Sequence, residues 1–336
     1  MTALTTQMYP TCMGRFLIDL PKGMNNASVN SYITLYYGLG TDFKTVEVTI
    51  EALNTTPQAM AGSVAKKAAD IGQDDNWVTK KSMLIEHKVI NDHTIYLRYQ
   101  NSGESSVGFK RELHLLLGTT QIVLLADSFE GLNEAFPDQP PEPVETGDQV
   151  DARLYRLASQ IHAYDDPAKA GPGFCLGPVV INGDQDEESA HISFDMNKYL
   201  DLGFSVDTKA LTSDKDDSPL LDRMKAVQSR FNVHVLRKGQ TTLGDMQAQE
   251  WLGWIKDEHD NHGLSFAVES MRDHPALERP KMTFQLDTGG QLTSGPKAGQ
   301  YVASSLTNDE GIALWNAIIT SVRPRPGAVQ RPSSAN

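Results

Sequence analysis

Two cysteines, Cys12 and Cys175, are the only ones in a chain of 336 residues, and each stands at the opening of one half. Cys12-Met13-Gly14 leads into an apolar run at 15–21, and Cys175-Leu176-Gly177 leads into another at 178–181. The order that follows is shared. Thr56-Pro57 opens a helical pattern in the first half, and Ser218-Pro219 opens one at nearly the same distance in the second. A last amphipathic helix starts near Asp148 and again near Asn308. Four landmarks in register describe two copies of one module. Their period, about 163 residues, is far beyond that of a solenoid repeat. A duplicated module is suited to gripping a partner from two sides.

Each half reads as α+β. In the first, 44–51 alternates strictly and puts Val46, Val48 and Ile50 on one face of a strand, with the aromatic and β-branched run 31–37 as its partner. Thr56 is a good N-cap and Pro57 a good first helical residue; Met60, Val64, Ala68 and Ile71 follow at helical spacing until Gly72. Strands follow at 82–90, 94–100, 109–116 and 121–126, with the tight connections of antiparallel hairpins. A helix over 150–164 closes the half, with Leu154, Leu157 and Ile161 on one face. The second half repeats the plan. Strands at 191–196 and 203–208 precede a helix from Pro219 carrying Leu221, Met224, Val227 and Phe231. Strands at 232–236, 246–255, 264–271 and 281–286 come next. The capping box Thr307-x-x-Glu310 then opens a helix with Ile312, Trp315, Ile318 and Ile319. This order describes two similar domains, each a mainly antiparallel sheet with two helices packed on one face. The expected domains are 1–165 and 174–325, joined by a turn-rich linker at 166–173; the Pro/Ser-rich segment 326–336 reads as a disordered tail.

The net charge is −13. Carboxylates outnumber Lys and Arg in both halves, which disfavours nucleic acid and anionic membrane as partners. No run approaches the roughly 18 apolar residues of a membrane helix. The first ten residues have neither the basic nor the apolar region of a signal peptide, which leaves a cytoplasmic protein or one whose export signal has been trimmed. Segment 127–151 is rich in carboxylates and proline and has no Lys or Arg, as befits a solvated loop or a docking surface. G-x-S-x-G, Walker A, G-x-G-x-x-G and H-E-x-x-H patterns do not occur, so no catalytic residue is assigned and no cofactor is implied. The best metal candidate is 257–262, where Asp257, Glu258, His259, Asp260 and His262 crowd together. The same composition describes an exposed hairpin turn. Trp251 and Trp254, in the preceding strand, stack a ligand or pack in the core. These residues keep open an alternative: a periplasmic metal-dependent hydrolase or ligand-binding protein using Asp257 to His262.

The opening Cys12-Met13-Gly14-Arg15-Phe16-Leu17-Ile18-Asp19-Leu20-Pro21, together with Gly173-Phe174-Cys175-Leu176-Gly177, resembles the two domain openings of a bacterial immunity-protein family. That family neutralises phospholipase effectors (the fourth lipase class) of the type VI secretion system. The resemblance spans nearly the whole chain. It implies a two-domain inhibitor, not an enzyme, that resides in the periplasm and grips its cognate lipase in a 1:1 complex. It further implies that the active-site entrance or the cap movement of the lipase is blocked. A structural subunit of a secretion apparatus is a further alternative. Such an interface centres on aromatic anchors rimmed by charge. The candidate rim is Asp74, Asp75, Asp186, Glu187, Asp216 and Asp217. Trp77 is the candidate anchor, or else it packs beneath its own helix. Cys12 and Cys175, at equivalent positions, are candidates for a disulfide that the periplasm would permit; otherwise they are two buried thiols.

Overall fold

A computed structural model describes residues 3–24, 27–38, 44–131, 145–183, 185–212, 218–230, 233–257, 259–271, 275–292 and 295–329. Its elements run β1 (Met8–Met13), β2 (Phe16–Pro21), β3 (Tyr32–Tyr37), β4 (Lys44–Ala52), α1 (Pro57–Gly72), β5 (Leu84–Asn91), β6 (Thr94–Gln100), β7 (Gly108–Leu117), β8 (Thr120–Phe129) and α2 (Gly147–Ala158). There follow β9 (Ile161–Ala163), β10 (Phe174–Leu176), β11 (Val179–Ile181), β12 (Glu187–Asp195), β13 (Gly203–Ala210), α3 (Leu220–Arg230), β14 (Val233–Leu243), β15 (Met246–Lys256), β16 (His262–Ser270) and β17 (Lys281–Thr288). The last elements are β18 (Gly290–Gln291), β19 (Tyr301–Val302), α4 (Asn308–Ile319) and β20 (Arg323–Pro324). They fall into two compact units. The first holds Tyr32–Ala163 and Ile181–Asp186; the second holds Met1–Ser31, Tyr164–Val180 and Glu187–Asn336. Segment 1–31, which opens the first half of the sequence, therefore groups with the second unit.

In the first unit six strands pair in the order β3-β4-β8-β7-β6-β5, all antiparallel. Alternation gives this sheet two apolar faces. One carries Ile33, Leu35, Val48, Leu113 and Leu124 and is covered by Val150, Leu154 and Leu157 of α2; all are buried. The other carries Ile95, Leu97 and Leu116 and receives Met60, Val64 and Ala68 of α1. Full burial of one such side chain contributes about 1.5–3 kcal/mol. The helices thus lie on opposite faces, not on one as expected. β6 shows this directly: Ile95 and Leu97 join the α1 cluster, while the Tyr96 hydroxyl bonds Asp151 of α2 at 2.9 Å. The closing helix is also shorter than its pattern. It stops at Ala158, where Ser159 and Gln160 N–H groups turn back onto Arg156 and Leu157, and Ile161 lies in β9.

The second unit repeats this topology element for element. Its sheet runs β12-β13-β17-β16-β15-β14, with α3 after β13 and α4 after β17. Phe194, Phe204, Phe266, Phe284 and Trp315 form the buried core on the α4 side, and Phe266 meets the Trp315 ring edge-on at 5.9 Å. On the opposite face Arg223 of α3 forks onto Glu269 of β16, and Leu221 N–H donates to Gln249 of β15. Phe231, expected on the α3 face, lies outside the described residues.

Segment 1–31 is tied into this unit by several bonds. Cys12 and Cys175 form a disulfide with Cα atoms 5.9 Å apart. Gly14 and Cys175 exchange two backbone hydrogen bonds, at 3.0 and 2.9 Å. Gly14 has φ +59°, and a Cβ there would stand 2.7 Å from the Phe174 ring. Buried Arg15 donates twice to buried Glu188, each at 2.7 Å, and once to the Ala328 carbonyl. β2 pairs with β20, and Arg325 and Ala328 are buried. Ala328, inside the segment expected to be a disordered tail, is thus buried and accepts the Gly173 N–H; 330–336 lie outside the described residues.

Candidate protein-binding surface

α1 ends at Gly72, and the chain then makes a compact loop before β5. Asn76 organises it. Its side chain is fully buried, donates to the carbonyls of Ser102 and Ser105, and accepts from the N–H groups of Val78 and Thr79. The Asn76 N–H bonds the Lys81 carbonyl, and the Trp77 N–H bonds the Gly103 carbonyl at 2.7 Å. The loop at 73–83 and the β6–β7 connection at 101–107 therefore form one hydrogen-bonded platform. Trp77 stands on it with 67% of its surface exposed. It does not pack beneath its helix. Asp74 and Asp75 are exposed on the same loop. β5, the outer strand of the sheet, continues from this loop with exposed Ile85, Val89 and Ile90. Trp77 is thus an exposed indole on a hydrogen-bonded loop that also presents the exposed Asp74 and Asp75.

Two polar networks on neighbouring residues of β7 hold the sheet behind this platform. Arg111, buried on the α2 side, donates to Ser128 at 2.8 Å, to the Tyr96 hydroxyl at 2.8 Å, and to Asp151 and Glu130. A Cβ at Gly147, at the first turn of α2, would press on this guanidinium and on the Glu130 carboxylate, so a larger residue there would have to displace them. Glu112, on the α1 side, accepts from Tyr99 at 2.6 Å, binds Lys67 of α1 and pairs with His114. Burial alone would raise the Glu112 carboxyl. The bonds from His114, Lys67 and Tyr99 outweigh burial and hold it at about 2. Burial, with the Glu112 charge beside it, pushes the Tyr99 hydroxyl up.

The other sequence candidates separate. Asp186 is exposed in the first unit, where its carboxylate accepts the Gly38 N–H at 2.7 Å. Glu187 is buried, accepting from the Thr212 N–H and hydroxyl, so it stabilises its strand end and offers no rim charge. Asp216 and Asp217 lie outside the described residues, as do 132–144 of the acidic stretch. Asp257 does not face outward as a metal ligand. Its carboxylate accepts from the N–H groups of His259 and Asn261 and from the Asn261 amide, closing the β15–β16 turn. No group of three or more His, Cys, Asp or Glu among the described residues is placed to hold a metal. Trp251 is buried in the core, while Trp254 is half-buried. Sequence reasoning passed over Asn76 and Gly103, which support Trp77. Asp75-Asn76-Trp77 does carry a signal: an Asx residue before an exposed aromatic marks a side-chain-capped turn.

Residues 168–327 match the family model described as Tle cognate immunity protein 4 C-terminal domain. Solved structures match along nearly the whole chain. The Tle4–Tli4 complex gives a TM-score of 0.62 at 20% identity, covering 96% of this chain and 99% of that chain. The apo structure of TplEi, an immunity protein of the T6SS from Pseudomonas aeruginosa, gives 0.61 at the same identity and coverage. The same immunity protein complexed with "L" peptide gives 0.57. At this identity the likeness establishes the fold. No curated protein matches the chain.

Proposed function

We propose that this chain is an immunity protein, an inhibitor and not an enzyme, on the match of residues 168–327 to the family model of the Tle cognate immunity protein 4 C-terminal domain. Its partner is a cognate type VI secretion phospholipase effector, bound one to one. The family match carries the reading, and the shared fold over 96% of the chain supports it. The finer proposal is that the tandem modules, 1–165 and 174–325 in sequence, grip the effector at two places and obstruct its active-site entrance or cap. Trp77 is the anchor in the first unit, with Asp74 and Asp75 at its rim. Linking two contacts makes the second intramolecular, which raises affinity without new chemistry. The periplasm is the proposed compartment, and the Cys12–Cys175 disulfide supports an oxidising one. Among the described residues no helix is long and apolar enough to cross a membrane.

Co-expression of the chain with its cognate type VI secretion phospholipase tests this. Survival and suppressed lipase activity are expected. Cell death with both proteins folded and abundant contradicts the reading.

A further inference from the structure

The β15–β16 connection at 257–261 holds the place in the second unit that the β6–β7 connection, whose Gly103 carbonyl accepts the Trp77 N–H, holds in the first. Aromatic rings gather there too. His234, near the start of β14, lies opposite Trp254 in register and stacks on its indole at 3.9 Å and 9°. His262, at the start of β16, meets the same indole at 4.9 Å. His259, within the connection, meets Tyr301 edge-on at 4.5 Å. His234, His259 and Tyr301 are exposed, and Trp254 and His262 are half-buried. The turn does not depend on these rings, because the Asp257 carboxylate closes it. Asp260, bonded to Lys256, stands exposed on the connection as Asp74 and Asp75 stand beside Trp77. An indole held between two imidazoles is an aromatic surface already ordered before binding, so little side-chain entropy is lost on contact.

We infer that the rings of His234, Trp254, His262, His259 and Tyr301 form the second unit's counterpart of Trp77. They contact the same protein partner, at an apolar patch edged by Lys or Arg side chains. The exposed Asp74 and Asp75 of the first platform and the net charge of −13 fit that edge. This inference rests on the reading of the chain as an effector-binding immunity protein.

The test uses the whole chain and its cognate type VI secretion phospholipase, with affinity read by titration calorimetry. The double variant His234→Ala/Tyr301→Ala changes only exposed rings. It should weaken binding by at least about tenfold while unfolding as the unmodified chain does. Gln240→Ala, exposed further along β14, should bind within about twofold of the unmodified chain. Trp254→Ala should weaken binding at least as much as the double variant; where it unfolds, the double variant alone decides. A folded double variant that binds within twofold overturns the inference. Failure of the unmodified chain to bind at all overturns the proposed function instead.

Discussion

The closing helices of the two units occupy the same topological place and are held by opposite chemistries. α2 is fixed through a buried guanidinium, with Arg111 shared among Tyr96, Ser128, Glu130 and Asp151. α4 is fixed through a fully buried indole, with Trp315 packed on Phe266 and its N–H donated to Glu250 at 2.7 Å. The same six-strand order therefore tolerates an ion network or an aromatic core beneath its last helix. Strand pattern and helix starts set the topology. The filling under the helix sets how the unit responds to pH and to substitution.

Removing either anchor should have the largest effect. Trp315→Ala should cost about 3–5 kcal/mol through the cavity it leaves. Arg111→Ala should cost about 3 kcal/mol by leaving Asp151 without its cation, while Glu130 keeps Arg98. Size-preserving changes sharpen the contrast. Trp315→Phe should retain much of the stability, while Arg111→Met should not, because Asp151 loses its cation and Ser128 and Tyr96 lose their donor. Urea unfolding of the four variants measures this, and equal tolerance of the two conservative changes would break the comparison.

Loss of the disulfide comes next and belongs to the second unit alone. Cys12→Ser/Cys175→Ser should lower stability by about 2–5 kcal/mol. The reduced unmodified chain should unfold at the same urea concentration as this variant. A variant as stable as the oxidised chain would show that Arg15–Glu188, the Gly14–Cys175 backbone bonds and the β2–β20 pairing suffice to hold β1 and β2.

Acid should act first on the first unit. Glu112 sits at about 2, against 4.5 for an ordinary glutamate. Its folded value is lowered, so its contribution is fully present above about 4.5 and is lost as pH falls towards 2. That contribution is on the order of 3 kcal/mol. Glu112→Gln should flatten the stability profile between those limits; an unchanged profile would remove Glu112 from the account. The smallest effect is expected at the α4 cap. Thr307 accepts the Glu310 N–H while the Glu310 carboxylate accepts the Thr307 N–H. Thr307→Ala should cost about 1 kcal/mol in thermal unfolding.

Local signals made most of this topology legible. Val46, Val48 and Ile50 alternate because one face of β4 is buried, and Thr56-Pro57 and Thr307-x-x-Glu310 mark helix starts through the N–H groups they satisfy. The face each helix covers was not legible. Arg111 and Glu112 interrupt an apolar strand, and only three-dimensional pairing shows one turned to α2 and the other to α1. The grouping of 1–31 with the second unit was equally hidden, since Arg15–Glu188 and β2–β20 join residues far apart in sequence. Glu187 read as a rim charge because a carboxylate in an acidic run looks solvated; its partner, Thr212, lies on another segment. Trp77 was legible as a candidate, but its exposure depends on the Asn76 bonds to Ser102 and Ser105, which no local pattern announces.

Affinity of the whole chain for its cognate type VI secretion phospholipase, measured with and without Trp77→Ala, bears most directly on the proposed inhibition. The unmodified chain should form a 1:1 complex and suppress lipase activity. Trp77→Ala, altering a side chain that stands in solvent, should fold normally and lose about 2 kcal/mol or more of binding, roughly thirtyfold. An unmodified chain that neither binds nor inhibits, or a Trp77→Ala chain that binds as tightly as the original, would contradict it.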